Sequence, residues 1–224
     1  MSAETEIRDA DDAAPRWQRR PEDRPTEILD AALLVFGERG FSCTRLEDVA
    51  RQAGVSKGTV YLYFESKEAL FRAMVSNKVG AAVSEVRETI RQHTGTSEAL
   101  LRLVMERLWR GMRDEGKARL SRLVHSELAN FPELARFYFT EVVVPVRELV
   151  SEIIARGVKD GEFAPVEPRL VARTICLSLV HWAANQRFLR DFDTARFSDA
   201  EVFDGVSDLM IRGLKAGAPG ARKD

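Results

Sequence analysis

Residues 44–70, TRLEDVARQAGVSKGTVYLYFESKEAL, constrain the fold more than any other stretch of the chain. Thr44 followed by Glu47 is a T-x-x-E capping-box pattern, so a helix is expected to begin at Arg45. Leu46, Val49, Ala50 and Ala53 fall at helical spacing and give that helix one apolar face. Gly54 stops it, because glycine tolerates the positive φ that a helix C-terminus often needs. Val55 plugs the turn, and Ser56 is an N-cap for a second helix through Lys57 to Phe64. Short helix, glycine turn, short helix is the helix-turn-helix arrangement, whose second helix enters the DNA major groove by its N-terminal residues. Here those residues are Lys57, Gly58 and Thr59, with Tyr61 one turn on.

The segment closely resembles the DNA-binding domain of the TetR (tetracycline-repressor) family of bacterial one-component regulators. The resemblance is carried by ILDAALLVFGERGF at 28–41, Thr44, LEDVARQAGVSKGTVYLYF at 46–64 and SKEAL at 66–70, and it is dense over residues 24–74. FPELARFYFTEVVVPV at 131–146 looks like a ligand-domain helix of some family members. The resemblance implies an all-α, nine-helix architecture with a three-helix head and a C-terminal ligand-binding and dimerisation domain. It implies a homodimeric regulator, most often a repressor, released from a palindromic operator by a small effector. It also implies DNA contacts at Thr44, Arg45, Lys57, Gly58, Thr59, Tyr61, Leu62, Tyr63 and Lys67. Their chemistry suits this: Lys57 can bond guanine acceptors or a phosphate, Gly58 permits close approach, and Thr59 and Leu62 can touch a thymine methyl. The Thr44 hydroxyl, the two phenols and the Lys67 ammonium suit phosphate oxygens. Val49, Ala53, Val55, Val60 and Phe64 are expected in the core.

The net charge of −1 over 224 residues gives no global sign of nucleic-acid binding, although only local cations need to face phosphates. A hydrophobic content of 45% is that of an ordinary globular protein. Cys43 and Cys176 make no disulfide framework and fit a reducing compartment. No secretion signal is visible, and no apolar run approaches the roughly 20 residues a bilayer span requires. A cytoplasmic protein is expected.

Residues 1–20 read as a disordered tail, acidic then basic, with an arm onto DNA as the functional alternative. Residues 21–66 read as the DNA-binding head, 67–216 as the ligand and dimer domain, and 217–224 as a frayed end. Helical spacing predicts helices over about 25–39, 45–53, 57–64, 67–92, 97–114, 118–130, 132–158, 168–189 and 199–214, with Pro145 kinking the seventh. The helix at 168–189 is apolar nearly all round, so it must be buried on several sides. The resemblance implies that it and the last helix form an intersubunit four-helix bundle. Val202, Phe203, Val206, Leu209 and Met210 form the expected interface stripe.

Met105, Trp109, Met112, His125, Phe131, Phe137, Trp182 and Asn185 are candidate pocket lining, because small-molecule sites combine apolar walls with a few polar groups. The same residue types also fill ordinary cores. Such a lining favours a mostly apolar effector. Catalytic and metal patterns are poor: His93, His125 and His181 are scattered, and no HExxH or CxxC pair occurs. GMRDEGKA at 111–118 nearly matches a phosphate loop but places Ala118 where a hydroxyl belongs, and it follows a helix. No cofactor is expected. Two alternatives stay open on residues alone: an all-α enzyme or ligand carrier, and a non-specific architectural DNA binder.

Overall fold

Apolar residues at helical spacing bury two separate cores in the computed structural model. It describes residues 24–113, 115–127, 130–189 and 197–215, without the side chains at 79, 81, 82, 115, 117, 122, 125–127 and 184–189. The N-terminal tail and the C-terminal end of the sequence reading therefore lie outside the described residues. The order is α1 (Arg24–Cys43), α2 (Leu46–Ala53), α3 (Lys57–Tyr63), α4 (Lys67–Gln92), α5 (Ser97–Arg113) and α6 (Glu115–Glu127). It continues with α7 (Pro132–Tyr138), a π-segment (Phe139–Val143), α8 (Val144–Lys159), α9 (Pro168–Leu189) and α10 (Asp199–Lys215). No strand occurs among the described residues, and the all-α architecture stands.

The first core joins Ile28, Phe36 and Phe41 of α1 to Val49, Val60, Phe71 and Met74 of the next three helices. It also takes in Leu120 and Leu123 of α6 and Leu134 of α7, so its apolar interior does not close at residue 66. The second core joins Leu101, Met105 and Trp109 of α5 to Ile153 and Ile154 of α8, Ile175 of α9 and Val202 of α10. α4 reaches both, with Leu70 and Phe71 in the first core and Val86 in the second. A rigid helix spanning two cores is the natural connection between them.

One local expectation holds and one is corrected. Gly40 ends the regular part of the first helix, because its φ of 79° is non-helical, and beyond that break the chain resumes helically only as a short extension to Cys43. Thr44 is not the cap of α2, because its hydroxyl donates to the Gly40 carbonyl at 2.7 Å, closing that kink. The cap is Arg45, whose backbone N–H donates to the Asp48 carboxylate at 3.2 Å. The capping-box logic holds one residue later than the sequence pattern placed it.

The kink expected at Pro145 takes the form of the π-segment. Proline has no N–H and its ring crowds the carbonyl four residues back. The helix widens ahead of it, and the Val144 N–H reaches Phe139 O, five residues away. With α7, the π-segment and α8 counted as one rod, the described residues carry nine helical rods.

Candidate functional site

The candidate DNA-reading face is built by the turn at Gly54. Its φ of 66° lets the Val55 N–H return to Ala50 O at 3.0 Å and re-aims the chain into α3. The Ser56 hydroxyl accepts from Thr59 N at 3.1 Å and lies 2.8 Å from Thr59 Oγ1, fixing the first turn of α3. Val60 is fully buried and Phe64 nearly so, which anchors one side of this short helix. The other side is presented to solvent: Leu62 is 78% exposed, Tyr61 46% and Tyr63 40%. Lys57, Gly58 and Arg45 are exposed beside them, and Thr59 is half-buried.

Lys57 is held on this face by two neighbours. Its ammonium pairs with Glu47 and sits 5.4 Å from the Tyr61 ring centroid. Its hydrogen bond to Glu47 raises the lysine pKa, and the same bond lowers that of the carboxyl. An exposed pair of this kind is easily exchanged for a phosphate or a guanine edge.

Two expected contacts are placed differently. Thr44 is 2% exposed with its hydroxyl committed to Gly40, so that hydroxyl does not face a phosphate here. Lys67 Nζ donates to the carbonyls of Phe41, Ser42 and Thr44 at 2.9, 3.1 and 3.4 Å. It also lies 4.7 Å from the Phe41 ring centroid. An ammonium has three donors, and all three are used in clipping α4 to the end of α1.

The second feature is a cavity open to solvent beside the exposed Phe139 and Leu177. A space of about 460 Å³ is lined by Leu108 and Met112 of α5, Tyr138 of α7, Val142 of the π-segment, Arg147 of α8, and Cys176 and Val180 of α9, among others. A second space of about 500 Å³ shares Leu108, Met112, Tyr138, Val142 and Val146 with it. Burial pushes the Tyr138 phenol up to about 12. Burial also pushes the Cys176 thiol up to about 11, against the opposing pull of the Arg147 guanidinium. Both groups are neutral near pH 7. The wall of the first space is apolar, with Arg147 of α8 its charged member, whereas Lys78, Glu85, Glu106, Arg107 and Arg110 line the second.

Of the candidate lining residues, Met112 faces this cavity. Met105 and Trp109 belong to the second core, where the Trp109 ring lies 5.9 Å from Phe203. Trp182 packs against that same core. Phe131 stacks edge-on against Phe41, and Phe137 lies under the Arg72 guanidinium at 4.8 Å. The side chains of His125 and Asn185 lie outside the described residues. Sequence reasoning missed Tyr138, Val142, Val146 and Arg147. Pro145 was the signal, because a π-segment rotates the side chains that precede the proline relative to a regular helix, and such segments often sit at functional sites.

The interface stripe also divides. Val202 is buried, and Phe203, Val206 and Met210 pack against the second core, whereas Leu209 is 70% exposed. Helical 3/4 spacing picks out the core-facing side of α10. The outward apolar residues are Leu209 together with Leu170 and Leu177 of α9.

An exposed α3 behind a glycine turn, carried on a helical body with an apolar cavity, defines a helix-turn-helix DNA-binding regulator. Residues 28–74 match the family model for bacterial regulatory proteins of the tetR family, and residues 91–198 match the tetracyclin repressor-like C-terminal domain. The chain is 36% identical over 199 residues to the HTH-type transcriptional regulator RutR of Escherichia coli K12, covering 84% of this chain and 89% of that one. It is 24% identical over 202 residues to the fatty acid metabolism regulator protein of Bacillus subtilis, covering 88% and 97%. The crystal structure of FadR from Bacillus subtilis in complex with stearoyl-CoA superposes with a TM-score of 0.71 at 24% identity, covering 84% and 98%. The chain belongs to the TetR family of bacterial transcriptional regulators.

No helix among the described residues is long and apolar enough to cross a membrane. No group of three or more histidine, cysteine or acidic side chains placed to hold a metal ion occurs among them.

Proposed function

We propose that this regulator is a homodimeric repressor whose operator affinity is set by an effector in the cavity between α5, the α7–α8 rod and α9. The observation that carries this reading is the position of the π-segment. Tyr138 and Val142 line the cavity, while Leu134, one turn before Tyr138, lies in the core of the DNA-reading head. A ligand that reshapes one end of that rod acts on the other. It can do so only through its differential affinity for the two head arrangements, typically about 1–3 kcal/mol of coupling.

The apolar wall suits a long or bulky apolar ligand. The stearoyl-CoA held by FadR from Bacillus subtilis supports a long-chain acyl compound as the first effector class to test. Exposed Leu209 on α10, which lines neither space, supports a C2 interface through that helix. Two heads on one axis then bind a palindromic operator in the cytoplasm, with half-sites about one helical turn or a multiple apart.

The test is a band-shift of the full chain on DNA upstream of its own gene, with and without long-chain acyl compounds. Release by ligand and a dimeric mass in solution are expected. A wild-type protein that stays monomeric at micromolar concentration, or binds unrelated DNA equally well, would overturn this reading.

A further inference from the structure

The cavity shares one wall residue with a neighbouring basic hollow. Arg147, which lines the apolar space, also lines an adjoining hollow of about 300 Å³ with Val144, Glu148, Arg169, Leu170 and Arg173. Three guanidinium groups there meet one carboxylate, which Arg169 Nε approaches at 3.7 Å. Among the described residues Arg147 and Arg173 have no ion pair, and Arg147 Nε is buried without a hydrogen-bond partner. A buried N–H of a charged group left without an acceptor is costly, and native structures rarely keep one without reason. The Arg147 guanidinium is held 5.4 Å from the Phe139 ring centroid, at the border between the two spaces. A ligand oxygen bearing negative charge complements the Arg147 guanidinium and the two outer arginines, since the guanidinium fork fits carboxylate and phosphate geometry.

We infer that the effector is an anionic amphiphile, with its apolar chain in the cavity and its carboxylate or phosphate head bound by Arg147, Arg169 and Arg173. This rests on the reading of the cavity as the effector site.

The test measures binding of four compounds with one chain length to the full protein, below their micelle concentrations. These are hexadecanol, hexadecanoate, hexadecyl phosphate and hexadecanoyl-CoA. Each anion is expected to bind wild type at least about tenfold tighter than the alcohol, as a charge-assisted hydrogen bond would give. Ranking the three anions separates a carboxylate site from a phosphate site. Arg147→Gln, and separately the exposed double variant Arg169→Gln with Arg173→Gln, are expected to remove most of that preference, and the double variant, which lies outside the apolar cavity, is expected to leave hexadecanol binding unchanged. If hexadecanol binds as tightly as the anions, or the double variant keeps the full preference, the anion site is wrong while the cavity reading stands. If none of the four compounds binds, both fall. Should Arg147→Gln fail to fold, the double variant decides alone.

Discussion

The Phe131 ring meets the Phe41 ring edge-on, with centroids 4.8 Å apart and planes at 74°. Phe41 directly follows the break at Gly40 in α1, and its carbonyl is held by Lys67. Phe131 caps α7, the rod whose far side lines the cavity. This contact, with Leu134 in the first core and Phe137 under Arg72, joins the cavity-bearing rod to the DNA-reading head. Phe131→Leu keeps an apolar filler but removes the ring pair, a loss of about 0.5–1.5 kcal/mol beyond area burial. Operator affinity without ligand is expected to stay near wild type while ligand-induced release weakens. Band-shift titrations at fixed protein with rising ligand check this, and an unchanged release curve would show that coupling bypasses the ring pair.

Lys67 clips α4 to the end of α1 through three carbonyls, so Lys67→Ala is expected to lower stability by about 1.5–3 kcal/mol, the usual range for charged hydrogen bonds. Operator affinity is expected to fall because the head loosens, with little change in its salt dependence. A lysine that neutralised a phosphate would instead flatten the log–log slope by about 0.9. Melts and salt titrations of the same variant separate a clip from a phosphate contact.

Glu47 holds Lys57 on the reading face and adds a negative charge near the phosphates. Glu47→Gln is expected to tighten binding to operator and to unrelated DNA alike, with a steeper salt dependence, because it frees a cation and removes a repulsive charge. Lys57→Ala is expected to act in the opposite direction. Wild-type salt slopes in both variants would place this pair away from the DNA.

Cys176 gives stability a specific alkaline limit. Its folded value is raised by burial from 9.0 to about 11, so folding favours the neutral thiol. The contribution is complete below pH 9 and is lost as pH rises towards 11, by about 2–3 kcal/mol for a shift of that size. Cys176→Ala is expected to flatten the fall of melting temperature over that window. Tyr138, raised to about 12, extends the decline higher. At neutral pH a thiol reagent is expected to label exposed Cys43 and spare Cys176.

The head was legible in the sequence because each of its signals is local. Gly54 and Ser56 act on their immediate neighbours, and α2 and α3 follow from them. The capping box was misplaced because Thr44 with Glu47 matches the pattern while the box used, Arg45 with Asp48, does not, and the Thr44 hydroxyl is committed to the Gly40 carbonyl by the return of the chain there. The cavity was far less legible. Met105, Trp109 and Met112 share an apolar stripe on α5, and spacing does not say which of them meets a neighbour and which meets a void. That choice depends on how the π-segment turns Val142 and its neighbours towards α5, a consequence of tertiary packing around Pro145.

The stripe on α5 supplies the sharpest test of cavity against core. Trp109 is 4% exposed and fully enclosed by the second core, so Trp109→Ala is expected to cost about 3–5 kcal/mol and lower the melting temperature strongly. Met112 is one turn away and half-buried, with its side chain against both cavity spaces. Met112→Trp places extra volume where there is room for it, so it is expected to leave the melting temperature near wild type or raise it. The same ring occupies the space an effector needs, so operator binding should persist and ligand-induced release should be lost. If Met112→Trp instead destabilises the protein by the 1–3 kcal/mol typical of an overpacked core, the space is not available to a ligand. If it is stable and still released by ligand, the effector binds elsewhere.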